Sequence, residues 1–202
     1  NASSSGSLSV QGAGSVFDQI GNAFIGNSGV GGFFAANGGI ANFSQTVQVG
    51  VLASSFGTVD AYNGQLNFAD SVHLGVAQNS SGVMNLLDSA TLQAATNSGA
   101  TFTVGFAGQG NLNILDGSSA TIGSLSNTSP FENELVVGRE TTGVGRVQVT
   151  GASLTATNAV FGNSGDGRLL STSNSTLDFG DTVYLGYHSG SYGEAVISDF
   201  SD

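Results

Sequence analysis

Residues 57–75 read GTVDAYNGQLNFADSVHLG. After Gly57, the apolar Val59 and Ala61 alternate with polar neighbours. Asn63 then supplies a turn, Leu66 a second apolar mark, and Val72 and Leu74 alternate again before Gly75. A period of two marks a strand with one buried face, because successive side chains on a strand point to opposite sides. Working outward, the same pattern recurs through the chain. Gly6, Gly32, Gly57, Gly82, Gly110, Gly145, Gly167 and Gly193 open the units, at intervals (by subtraction) of 26, 25, 25, 28, 35, 22 and 26 residues. An apolar residue followed by Gly closes each unit, from Ile25-Gly26 through Leu74-Gly75 to Leu185-Gly186. A repeat in this range is the signature of a solenoid.

Aligning the units sorts the side chains into columns. Leu8, Phe34, Val59, Met84, Leu112, Val147, Leu169 and Ala195 stand two residues after the opening glycine. Val10, Ala36, Ala61, Leu86, Ile114, Val149, Ser171 and Ile197 stand four after it. A third, weaker apolar mark falls at Val16, Ile40, Leu66, Leu92, Ile122, Leu154 and Leu177. Six residues after each opening glycine come Gly12, Gly38, Asn63, Asp88, Asp116, Gly151 and Ser173. These are types that tolerate left-handed backbone or bond their own main chain in turns. Three short strands and three turns per unit predict a right-handed parallel β-helix. This is an all-β solenoid of about seven to eight coils, forming one domain over residues 1–202. The right hand is favoured because these coils exceed the rungs of about 18 residues made by left-handed hexapeptide repeats. At about 4.8 Å per coil, seven coils make a rod of about 35 Å.

Composition narrows the partners. Fourteen acidic residues against three basic ones give a net charge of −11. Such a surface repels nucleic acid and anionic membrane, so neither is expected as a partner. No apolar run is long enough to cross a bilayer, and no membrane insertion is expected in this segment. Cysteine is absent, which excludes disulfides, thiol catalysis and thiolate metal sites. The chain begins at Asn1 and reads as a processed or excised piece of a longer secreted protein.

Residues 6–50, GSLSVQGAGSVFDQIGNAFIGNSGVGGFFAANGGIANFSQTVQVG, and residues 137–186, VGRETTGVGRVQVTGASLTATNAVFGNSGDGRLLSTSNSTLDFGDTVYLG, carry a further likeness. Both resemble the repeat associated with bacterial type V secretion (autotransporter) and PEP-CTERM proteins. The shared form is a G-x-L-x-V strand, a G-A or G-G turn, an apolar-Gly pair and a G-x-G link. The resemblance implies a secreted passenger that forms a right-handed β-helix on or near a bacterial surface, often adhesive or structural. It implies no catalytic residues, and residues 1–202 are not expected to include a translocator barrel or sorting tail.

Several groups invite a chemical reading. Asp88 and Asp116 occupy equivalent turn slots and should stack, and Asp178 and Asp181 share one unit. Paired carboxylates serve acid/base chemistry or bind Ca²⁺, but this slot elsewhere holds Gly, Asn and Ser, so turn formation explains it. Asn163-Ser164-Gly165-Asp166-Gly167 lacks the ligand count of a Ca²⁺ loop. His73, between inward Val72 and Leu74, and His188 are expected on the surface. No metal or other cofactor is called for. The longest unit inserts residues around Ser118–Glu134, and Pro130, Phe131, Glu132 and Glu134 form a candidate binding loop. Tyr184, Tyr187 and Tyr192 crowd the last full coil and are candidate glycan contacts, with Tyr62 further back. Arg146, Arg168 and Glu194 each follow an opening glycine, so Arg168 should lean toward Glu194.

The leading functional expectation is a non-enzymatic structural or adhesive segment of a secreted bacterial surface protein, an autotransporter-like stalk. A second is an extracellular fibre subunit associating end to end or side by side with its own copies, since neither Gly6 nor Ile197 is preceded or followed by a cap. A third is a carbohydrate-binding or carbohydrate-active β-helix meeting a host or matrix glycan or protein.

Overall fold

The structure, a computed structural model, describes residues 4–123 and 134–198. Every element among the described residues is a β-strand, and together they stack as a parallel β-solenoid of about seven turns. Each coil contributes one strand to each of three sheets. Sheet A has eight strands, from Ser5–Gln11 to Tyr192–Ile197. Sheet B has seven, from Val16–Gln19 to Thr176–Phe179, and sheet C has seven, from Ala23–Ile25 to Val183–Leu185. All neighbouring strands are parallel, and each pairs with the equivalent strand one coil away. The stretch 57–75 is one complete coil. Its Val59 and Ala61 (sheet A), Leu66 (sheet B) and Val72 and Leu74 (sheet C) are fully buried in the shared core.

The turn slots behave as their residue types predict. Gly12, Gly38, Asn63, Asp88, Asp116, Gly151 and Ser173 all have positive φ, between 47° and 93°. The glycines at the corner between sheets C and A answer to a different cause. There an opening glycine of one strand lies against the backbone of the corner just before it. A Cβ added at Gly82 would approach the Leu74 Cα to 3.0 Å and overlap the carbonyl oxygen of Val49. No side chain fits there.

That corner corrects one register. The second unit was expected to open at Gly32, with Phe34 and Ala36 inward. The strand instead pairs Gly6 with Gly31, Leu8 with Phe33 and Val10 with Ala35. Phe33 and Ala35 are buried in the core, while Phe34 faces out and its ring lies 5.5 Å from that of Tyr62. The tandem Gly31-Gly32 and Phe33-Phe34-Ala35-Ala36 admit both registers by pattern alone. The corner decides between them. A Cβ at position 31 would overlap the Gly26 nitrogen, whereas at position 32 its nearest neighbour is Thr58 Oγ1 at 3.4 Å.

Sheet B corrects the third apolar mark. Phe17 and Ala41, not Val16 and Ile40, align with Leu66, Leu92, Leu154 and Leu177. Val16 faces solvent at 53% exposure. Ile122 is buried but belongs to the next inner column, beside Ala94 and Ala156, while Ala120 holds the expected place. A four-residue strand with apolar side chains at adjacent positions gives alternation too little length to fix the face.

The charge ladder has the expected register. Arg146, Arg168 and Glu194 are neighbours on the outside of sheet A. Arg168 leans to Glu194, with Nη1 3.7 Å from Oε2. Its guanidinium also sits 5.1 Å from the Tyr192 ring centroid.

Candidate functional site

The candidate loop lies largely out of view: Pro130, Phe131 and Glu132 fall outside the described residues. Glu134 opens a sheet C strand, Glu134–Val137, and pairs with Thr101 and Asn158, so it belongs to the solenoid wall and not to a loop. The tyrosines divide into two places. Tyr184 points outward from sheet C, and Tyr187 follows the corner glycine. Their rings meet edge to face at 4.9 Å, with His188 4.6 Å beyond. Tyr192 stands at the start of its sheet A strand beside Arg168. All three tyrosines are exposed.

The stacked Asp88 and Asp116 share φ values of 53°, and Ser89 N donates to the Asp116 carbonyl. This is turn geometry, in the slot other coils fill with Gly, Asn or Ser. In the Asn163 loop the side-chain amide is occupied, donating to the Arg139 carbonyl at 3.1 Å. Among the described residues no group of three or more His, Asp or Glu side chains is placed to hold a metal ion. No helix among them is long and apolar enough to cross a membrane.

His73 departs from its expected surface position. It does point away from the core, but residues that follow the corner glycines fold back over the outside of sheet C. The Phe106 ring packs edge to face on His73 at 5.1 Å, and the Arg139 guanidinium lies 4.8 Å from the Phe106 centroid. Thr103, next to His73 on the adjoining strand, is fully buried. Among the described residues, neither His73 Nδ1 nor Thr103 Oγ1 has a partner at full hydrogen-bond geometry. Burial pushes the His73 pKa down to about 4, and the Arg139 charge acts in the same direction, against Asp70 and the Val72 backbone.

This gives a pH prediction. The unfolded chain takes up a proton near the ordinary value of 6.5, and the folded chain only near 4. The favourable contribution is therefore complete above pH 6.5 and is lost as pH falls toward 4. The shift corresponds to about 3 kcal/mol across that window. In urea titrations at pH 7 and pH 4, His73→Gln should lose less stability than the natural chain by about this amount. Equal losses would mean the ring is solvated.

Two rows of side chains were not anticipated. On sheet A, Asn85 Nδ2 donates to Asp60 Oδ1 at 2.6 Å, and Asn113 Nδ2 donates to Asn85 Oδ1 at 2.7 Å. On sheet B, Asn42 donates to Asp18 and Asn67 to Asn42, both at 2.7 Å. Each row begins on a carboxylate and runs from coil to coil through side-chain amides. The first was legible, since Asp60, Asn85 and Asn113 all stand three residues after an opening glycine. The second depends on which face of sheet B is buried, and its four-residue strands leave that open in sequence.

No family model, no curated protein and no solved structure matches the chain.

Proposed function

We propose that the chain is a non-enzymatic structural and adhesive segment of a secreted bacterial surface protein, a stalk built of stacked coils. The observation that carries this reading is the unbroken pairing of all three sheets from Ser5 to Ile197. Such an assembly is stiff along its axis, and each coil depends chiefly on its neighbours, which suits a spacer whose length scales with coil number. The repeat resemblance of residues 6–50 and 137–186 supplies the cellular setting. Antibodies against the purified chain should label intact cells of the bacterium that makes it, and removing the segment in frame should reduce attachment of those cells. Absence of labelling on intact, export-competent cells would overturn the reading.

A second reading, end-to-end association of copies, is favoured by the ends of the solenoid. At the first coil the inner columns open into a bowl of about 580 Å³ lined by Leu8, Phe17, Ile25, Phe33 and Phe43. At the last, Leu185 and Ile197 are exposed. Among the described residues, sheet A has one strand more than sheets B and C. A copy stacking in register would therefore bring Val16–Gln19 and Ala23–Ile25 onto sheets B and C, with its own Ser5–Gln11 displaced by Tyr192–Ile197. Filaments in electron micrographs of the purified chain would select this reading over the single stalk.

A further inference from the structure

We propose that the outer face of sheet B is a binding surface for an extended, uncharged polysaccharide lying along the solenoid axis. The face consists of two outward columns. One runs through Gln65, Thr91, Ser119 and Ser153, and the other through Asn42, Asn67, Gln93, Thr121 and Thr155. Between Asp18 at one end of the second column and Asp178 at the other, every outward side chain from Gln65 onward is an amide or a hydroxyl. On a chain of net charge −11, five coils without a charge on one face form a neutral stripe.

Two shallow grooves lie along this stripe. One, of about 290 Å³, is bounded by Asn42, Asn67, Gln93 and Thr96, and the other, of about 300 Å³, by Gln65, Asn67, Thr91, Gln93 and Thr121. They share Asn67 and Gln93 and so form one track.

The hydrogen-bond row makes this track more than a solvated face. Asp18, Asn42 and Asn67 satisfy one another, and Gln65 donates to Asn67 Oδ1 at 3.1 Å. The row then stops. The Gln93 amide and the Thr121 hydroxyl are held by no neighbouring group among the described residues, although they occupy the next two places in the same column. An amide and a hydroxyl can each donate and accept, which matches the hydroxyls of a sugar. Neutral polar groups also cost far less to strip of water than charged ones. The rise of one coil, about 4.8 Å, is close to the length of one sugar in an extended chain. Equivalent groups on successive coils therefore meet successive sugars. The open, shallow form excludes the enclosed fit a compact ligand needs. Weak contacts repeated along a polymer add through multivalency.

This inference deepens the adhesive side of the proposed function and rests on it only for where the glycan is met. The two fail separately, because cell labelling reads location and the following assay reads binding. The purified chain is run in native gels containing a soluble β-glucan, a xylan or a galactomannan. Retardation by at least one of them is expected, persisting in molar salt. The double substitution Gln93→Ala with Thr121→Val should weaken it at least tenfold, while Asn111→Ala on sheet A should leave it unchanged. As a second readout on the natural chain, the Gln93 side-chain amide resonance should shift on adding the retarding glycan. No retardation by any of the three, retardation abolished by salt, an unaffected double variant or an unmoved Gln93 resonance would each overturn the proposal.

Discussion

Gly110→Ala is expected to destabilise the protein by more than about 3 kcal/mol, while Gly6→Ala, at the same place in the repeat, leaves it unchanged. Gly110 opens its sheet A strand at the corner where the previous coil ends in Val104-Gly105. A Cβ there would overlap the Gly105 nitrogen and come within 2.8 Å of the Val104 carbonyl carbon. Both obstacles are main chain held to the coil before, Val104 in its paired sheet C strand and Gly105 N donating to the Leu74 carbonyl, so relief requires moving a whole rung apart from its neighbours. Gly6 has the same backbone role in the first described coil, where no atom of the described residues lies within 4 Å of the added one. Neither glycine has positive φ, so left-handed strain does not enter the comparison. Thermal melts of the two variants beside the natural chain read the difference. Similar melting temperatures for both would show that the corner relaxes freely and that the opening glycines are not a steric requirement.

The repeat was legible because the corner and the turns demand particular residues at fixed intervals. Closing glycines such as Gly50 and Gly75 have φ of 67° and 65° and abut the backbone of the following coil, so they cannot drift in sequence. The turn slots likewise admit few types. Where the chemistry is permissive, the pattern admits more than one register. Gly31-Gly32 left two openings, and only the clash at the Gly26 corner separates them. On sheet B, Ile40-Ala41-Asn42-Phe43 offers apolar side chains to both faces, and the neighbouring coils, not the strand itself, decide which is buried.

The candidate sites were less legible for a related reason. Sequence position locates an outward side chain but not what lies over it. His73 was placed on the correct side of its strand, yet Phe106 and Arg139, which cover it, come from corners of later coils. The free places on sheet B were invisible until Asn42 and Asn67 were seen to satisfy each other. Their pairing depends on the register of Ile40–Phe43, whose own pattern does not fix the buried face. The tyrosines were found by type alone, and Tyr184 and Tyr187 meet because a corner brings neighbours in sequence around one edge of sheet C.

Leu112→Ala is expected to cost about 2–5 kcal/mol, and Leu8→Ala, in the same column, well under half of that. Leu112 is fully buried, paired with Met84 on one side and Val147 on the other, and the core continues beyond both. In a solenoid the walls of such a cavity are strands locked into ladders above and below. They cannot collapse inward without breaking register, which puts the cost toward the upper part of the range. Leu8 is 46% exposed, because no coil among the described residues covers it. Truncating it removes less apolar contact and leaves an open notch, not a sealed cavity. Asn111→Ala, outward and next to Leu112, supplies the local control, since it alters the same strand without touching the core. The three variants can be compared by urea unfolding, with the midpoint and the slope both recorded. A reduced slope for Leu112→Ala would indicate that the coils on either side of the cavity unfold separately. Equal costs at Leu112 and Leu8 would refute the dependence on covering coils, and equal costs at Leu112 and Asn111 would refute the inward assignment of the column.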